Sequence, residues 1–287
     1  MSNKCKSMED KCSYKYLTIF LVLSFVACWG IGLAFILFGD ILVPIVGELT
    51  LTHPLAIIAL YSPSISGLIV YLLMGGMSAF KGIFSKLIPR KQDLFWFPVL
   101  FVVFILFWAA MHYGSLLFGI AVPEMTYTFG EKIVQALRNF IEETGLIGGV
   151  FGWVGFLLPF LQKKLKNNIS SGLLTGLAFG LWVLPGYLIS SFGTVTSYPL
   201  YVIQLMFFML FTSYIFNATE GNIGFYLFSF WLAASGSRLQ FYFFNQQVQV
   251  LQVSYFAIAS IVIHLVFKKY KVNQPLQTFP EFMEKKA

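Results

Sequence analysis

The chain is short of charge: only 11% of its 287 residues are Asp, Glu, Lys or Arg, against about 25% in a soluble globular protein. A surface that poor in charge is not built for water. Cysteine is also scarce. Cys5, Cys12 and Cys28 make no disulfide framework and read as free thiols, with lipidation of a juxtamembrane cysteine as the alternative. The histidines His53, His112 and His264 fall in separate segments, and none forms a metal motif such as H-E-x-x-H. Each therefore reads first as an interfacial or packed residue. Ser235 and Ser237 have no nearby His or Lys in sequence to activate them, which leaves a serine hydrolase unsupported. The sequence shows no Gly-rich phosphate loop, no internal repeat, no low-complexity tract and no prenylation or myristoylation signal. No metal and no cofactor is expected from these residues.

What the chain has is apolar and aromatic: 58% of its residues are hydrophobic and 18% are Phe, Trp or Tyr. Eight apolar runs suit bilayer crossing, at about 16–39, 53–75, 94–119, 133–160, 170–192, 198–217, 222–242 and 247–267, since a spanning helix needs roughly 20 residues. The first, "YLTIFLVLSFVACWGIGLAFILFG", is longer than the apolar core of about 7–15 residues in a signal peptide, and "FILFGD" is a poor cleavage site. It reads as a retained span. The expected fold is all-α, a polytopic transmembrane bundle of about eight spans. One domain at 16–267 would lie between cytoplasmic tails at 1–15 and 268–287, the second mostly irregular.

The net charge of +7 is topological. Lys4, Lys6, Lys11 and Lys15, then Lys81, Lys86, Arg90 and Lys91, then Lys163, Lys164 and Lys166, then Lys268, Lys269, Lys271, Lys285 and Lys286 all fall on one side if eight spans are drawn. The opposite loops hold Asp40, Glu48, Glu124, Glu131 and Lys132. The positive-inside rule then puts both termini in the cytoplasm. Basic clusters beside spans suit anionic headgroups, whereas nucleic acid would need them on one folded face. The partner expected from composition is the lipid bilayer, not nucleic acid.

Two segments depart from plain spans. "GMSAFKGIFSKLIPRKQD" at 76–93 sets Phe80, Ile83, Phe84 and Leu87 at helical spacing against Lys81, Lys86 and Lys91, predicting a short amphipathic helix along the interface. The fourth span begins amphipathic, with Arg138, Glu142 and Glu143, and turns wholly apolar after Gly145. Arg138 and Glu142, at i and i+4, are placed to neutralise each other. Gly145, Gly148, Gly149, Gly152 and Gly155 give small-xxx-small spacings that let another helix come close.

The runs "GWVGFLLPFLQKKL" at 152–165, "AFGLWVLPGYL" at 178–188, "LYSPSISGLIVYLLMGG" at 60–76 and "YIFNATEGNIGFYLFSFWLAAS" at 214–235 together resemble the CPBP family. These are CAAX-type prenyl proteases and bacteriocin-processing or immunity proteins, all multispanning helical membrane proteins, and the expected place of this chain is the plasma membrane of a prokaryote. The resemblance covers about 50–240. It rests on Gly152, Trp153, Gly155, Phe156, Leu157 and Pro159, and on Phe179, Trp182, Leu184 and Pro185, with Asn217, Thr219 and Gly221 leading to the last motif. The family pattern carries Glu-Glu and Arg on one span, His on a second, and His-x-x-x-Asn on a third. The glutamate is taken to activate a water, and the other groups to steady the developing oxyanion.

In this sequence the Glu-Glu pair falls on Gly149 and Val150, the arginine on Val154, and the first histidine on Val183. The last pair falls near Phe230 and Ala234. The resemblance thus implies a shell, with Gly152, Trp153, Gly155, Phe179, Trp182 and Pro185 shaping a cavity between the fourth, fifth and seventh spans. The leading expectation is an inactive homologue that binds a peptide, a lipidated segment or a membrane protein in a regulatory or immunity role. The alternative is a protease with acids displaced to Glu142 and Glu143, which precede the family position by two helical turns, about 10 Å on nearly the same face. Those glutamates are also open to structural or ligand-contact roles. Arg238 is expected to snorkel at the outer end of the seventh span, or else to contact the cavity. A transporter has only the multispanning character in its favour.

Overall fold

A computed structural model describes residues 3–50 and 52–279; the side chains of 3–13 and of residue 144 lie outside the description. Cys5, Cys12, Lys4, Lys6 and Lys11 are therefore beyond it, as are Lys285 and Lys286 in the second tail. Among the described residues all the regular structure is helical. The chain runs through α1 (Asn3–Val46), α2 (Pro54–Ser85), α3 (Trp96–Leu117), α4 (Phe129–Glu142) and α5 (Thr144–Gly149). A π-helix over Val150–Leu157 leads into α6 (Leu158–Leu165), α7 (Asn168–Trp182), α8 (Leu184–Ile189) and α9 (Phe192–Val195). The last three are α10 (Tyr198–Ala218), α11 (Gly224–Arg238) and α12 (Gln246–Lys269).

Among the described residues, six segments are long and apolar enough to cross a membrane: Tyr14–Val46, Pro54–Ser85, Lys91–Leu117, Gly145–Leu165, Tyr198–Ala218 and Gln246–Lys269. Two of the eight runs in the sequence fall short. α7 and α11 have 15 residues each, roughly 22 Å at 1.5 Å per residue. The fifth run is cut at Val183, just ahead of Pro185, whose ring excludes a helical N–H at that place.

The fourth run also divides. Its amphipathic start is a separate helix, α4, opened by a capping box in which Thr128 and Glu131 serve each other's backbone N–H groups. The spanning part begins only after a break at Glu143 (φ −78°, ψ 92°). The segment after Gly76 behaves as expected up to a point. Gly76 takes a positive φ of 59° that a side chain would resist, and the helix turns there and ends at Ser85. Its Ile83 is fully buried and packs towards Gly155, so the segment seals the bundle besides lying along its edge.

Close helix contact depends on small residues, as the glycine spacing predicts. A Cβ on Gly148 would lie 2.4 Å from Leu60 O and one on Gly152 2.3 Å from Pro63 O, so this stretch abuts the backbone of α2. A second stripe went unread in the sequence: "GLLTGLAFG" at 172–180, whose Gly172, Gly176 and Gly180 face Leu210, Met206 and Val202 of α10.

Pro63 inside α2, and Pro159 and Pro185 in the first turns of α6 and α8, cannot donate to the carbonyls four residues earlier, and a carbonyl without a donor is costly in an apolar interior. Side chains supply the donors. Ser62 Oγ donates to Ala59 O (2.8 Å) below Pro63, Tyr71 Oη to Gly155 O below Pro159, and Trp29 Nε1 to Leu181 O (3.3 Å) below Pro185. Trp182 Nε1 adds bonds to Ser24 O (3.1 Å) and Ser62 Oγ (3.2 Å), tying α7 to α1 and α2.

The lysine clusters gather at one end. Lys86 Nζ bonds Glu220 O, and Arg90 pairs with Asp93 and Glu220. Lys164 lies over the Tyr14 ring beside Lys15, and Trp96, near Lys91, meets Phe267, next to Lys268. The described part of the second tail, past α12, is irregular. It folds back on this end, with Phe279 buried against Tyr71 and Phe156 and its N–H donating to Pro159 O.

Candidate functional site

The segments that carry the resemblance meet in space. Trp153 stacks on Phe179 (5.6 Å between centroids, 19°) and meets Trp182 edge-on (5.8 Å), while Phe179 stacks on Phe230 (6.3 Å, 25°). These rings come from the π-helix, α7 and α11. Val150 and Val154 are each 1% exposed. Gly149 is buried, and a Cβ added there would come within 2.8 Å of Trp153 Cδ1 and 3.3 Å of Tyr226 Oη. The place where the family pattern puts a glutamate is therefore filled as well as lacking a carboxylate. Val183 is half-buried and lines a separate cavity of about 410 Å³ with Cys28, Gly186 and Tyr187.

The polar groups sit elsewhere. A cavity of about 370 Å³ is bounded by Glu143, Tyr201, Gln204, Phe230, Ala234 and Gln252, with further aromatic rings closing it. It lies among the α4–α5 break, α10, α11 and α12, so the site expected between the fourth, fifth and seventh spans is displaced towards the sixth and eighth. α7 contributes no lining residue. Phe230 and Ala234 do line it, so two family positions border the cavity as apolar wall.

The break at Glu143 has a geometric result. Glu142 ends α4 and pairs with Arg238 at the surface, side chains 51% and 39% exposed. Glu143, one residue on, faces the cavity. The two carboxylates therefore diverge and do not act as a pair. The continuous-helix register that put them on one face with position 149 does not survive the break. Gly145 makes room for this arrangement, since a Cβ there would lie 2.8 Å from Phe230 Cζ. Glu143 is half-buried, and its carboxyl accepts from the Gly145 N–H. It stands before the span that starts at Gly145. Loss of water raises its carboxyl above the ordinary value, with the Gly145 N–H and the Arg238 charge pulling the other way.

Several expectations are corrected by these contacts. Glu142 has its partner in Arg238 across the bundle, not in Arg138 one turn away. Arg238, in the last turn of α11, keeps its side chain at the surface in that ion pair and does not line the cavity. The histidines serve backbone and ring contacts. His53 Nδ1 caps α2 by accepting from Leu55 N–H, His112 Nδ1 meets Phe241 O (3.0 Å), and His264 Nδ1 meets Tyr214 Oη (3.0 Å). Ser235 Oγ donates to Trp231 O and accepts from Asn139 Nδ2. Among the described residues no three His, Cys, Asp or Glu side chains come together.

Gln204, Gln252 and Tyr201 were not singled out in the sequence. The signal was present, since an amide inside an apolar span is costly and marks a pathway or a site. Gln252 is 1% exposed and its Oε1 has no partner among the described residues. The arrangement can hold a ligand: aromatic walls, one carboxyl and the unpartnered Gln252 Oε1. It does not assemble a second acid or a histidine beside Glu143 for hydrolysis. A scan of family models finds no match to the chain, and a search of curated proteins finds none either.

Proposed function

We propose that the chain is an integral membrane binding protein, a CPBP-like shell without the hydrolytic groups. It takes a peptide, a lipidated segment or a membrane partner in a regulatory or immunity role. In this reading α7 with α8, and α11, complete eight crossings as broken or short spans. The lysine-rich end faces the cytoplasm of a prokaryotic cell, with both termini inside. The observation that carries the proposal is the separation of shell from chemistry. The family positions at Gly149, Val150 and Val154 are closed and apolar, while an enterable cavity opens beside Glu143 with no second catalytic group.

Glu143 in a cavity wall is also the one feature on the side of a relocated protease. The test compares the two directly. A photo-crosslinking residue at Ala234 should trap a ligand or partner in cells, and purified protein should leave a prenylated peptide uncleaved. Cleavage abolished by Glu143→Ala would overturn the binding reading.

A further inference from the structure

The cavity beside Glu143 carries a statement about what it binds. Its wall offers one carboxyl, on Glu143, and the side chains of Gln204, Gln252 and Tyr201. The Gln252 Oε1 acceptor is buried and without a partner among the described residues. Around them stand Phe208, Phe230, Tyr242 and Phe256. Arg238, the nearby cation, is occupied by Glu142. Among the described residues no lysine, arginine or histidine lines the space, so the wall they form supplies no cation for the carboxylate.

A carboxylate, an open carbonyl acceptor and several aromatic faces are what a desolvated ammonium group needs. The carboxylate supplies the opposite charge, the acceptor takes an N–H, and the rings present their negative faces. We infer that this cavity binds a primary alkylammonium group, with Glu143 as its counter-ion and Gln252 Oε1 accepting from it. This rests on the reading of the protein as a binder and names the chemistry of what it binds. A quaternary ammonium would satisfy the rings but leave Gln252 Oε1 open. An anion would meet Glu143 and no counter-charge. The volume, about 370 Å³, sits near the low end of the roughly 300–1,000 Å³ typical of ligand cavities and suits a short alkyl chain with its head group.

The test uses the full chain in detergent micelles, titrated with hexylammonium and with hexanol as the uncharged equivalent. Hexylammonium should bind roughly ten- to a hundred-fold more tightly, the range for a charge-assisted hydrogen bond out of water. Glu143→Gln should bring hexylammonium down to the level of hexanol while leaving hexanol binding unchanged, which also reports that the variant is folded. Gln252→Leu should weaken hexylammonium by a smaller factor.

Equal binding of the two probes, unaffected by Glu143→Gln, would overturn the ammonium inference and leave the binding reading standing. Absence of binding by either probe would count against both. Nanodiscs then separate the sources. Weaker hexylammonium binding in phosphatidylethanolamine discs than in phosphatidylcholine discs identifies a lipid headgroup as the occupant, and equal binding identifies a soluble amine; either keeps the site.

Discussion

Replacing Gly176 by alanine puts the contact between α7 and α10 to a direct test. A Cβ at this position would lie 2.4 Å from Met206 Cα, 2.5 Å from Leu205 O and 2.7 Å from Met206 N. All three are backbone atoms, so no side chain can swing aside. Ordinary carbon contacts lie near 3.5–4.0 Å, and the two helices would have to part by roughly 1 Å to restore them. Overpacking of this kind costs about 1–3 kcal/mol. Alanine recovers up to about 1 kcal/mol through its better helix propensity. With rigid atoms on every side the cost belongs near the top of its range, leaving a net loss of about 1–2 kcal/mol.

Gly30 provides the opposite sign. It lies within α1 with nothing inside 4 Å of its built Cβ, so Gly30→Ala should be neutral or stabilise by up to about 1 kcal/mol. Reversible unfolding of both variants in mixed micelles, followed by helical circular dichroism, reads the difference. If Gly176→Ala unfolds at or above the wild-type midpoint, the backbone-to-backbone approach of α7 and α10 is wrong.

Trp182→Phe should destabilise more than Trp153→Phe, by about 1–2 kcal/mol in the same assay, because Trp182 Nε1 bonds Ser24 O and Ser62 Oγ whereas Trp153 Nε1 has no partner among the described residues. Phe279→Ala removes the ring seated on Tyr71 and Phe156. Trypsin should then cut at Lys268–Lys271 faster than in the wild type, and an unchanged rate would detach the tail from the fold. Thr128 donates from its N–H and hydroxyl to Glu131 and holds that carboxyl below its ordinary value of 4.5. A lowered folded value means the cap's stabilisation is present above 4.5 and is lost as pH falls through the depressed value. Protection of the amides in the first turn of α4, measured against their intrinsic exchange at each pH, should fall in that acid window, and Thr128→Ala, which keeps the backbone N–H donor and loses the hydroxyl, should weaken the pH dependence without abolishing it.

The helical class and the long apolar helices were legible because apolar runs such as Tyr198–Ala218 leave one economical solution in lipid, a helix. The lysine clusters were equally readable, as charge cannot be hidden there. What failed were interruptions decided by tertiary contact. Nothing local distinguishes Val150–Leu157 as π-helix from the α-helix on either side; the register is set where Ser64 Oγ accepts from Phe151 N–H and donates to Ile147 O. Glu142 and Glu143 look like one acidic pair until the chain bends between them. The resemblance implied that Trp153, Phe179 and Trp182 shape a cavity, whereas these rings pack on one another. It did not predict that the open space would lie on the other side of Phe230, because the cavity is formed by residues from α10 and α12 that match no motif.

The carbonyls bared by Pro159 and Pro185 also constrain the order in which the protein can be made. Gly155 O is served by Tyr71 and Leu181 O by Trp29, and each donor lies earlier in the chain than the group it serves. A ribosome delivers the N-terminal spans first. α1 and α2 are thus available in the membrane as templates before either kinked segment emerges. A circular permutant that moved them to the C-terminus would keep every contact of the finished fold, yet release its bent spans into lipid with no donor waiting.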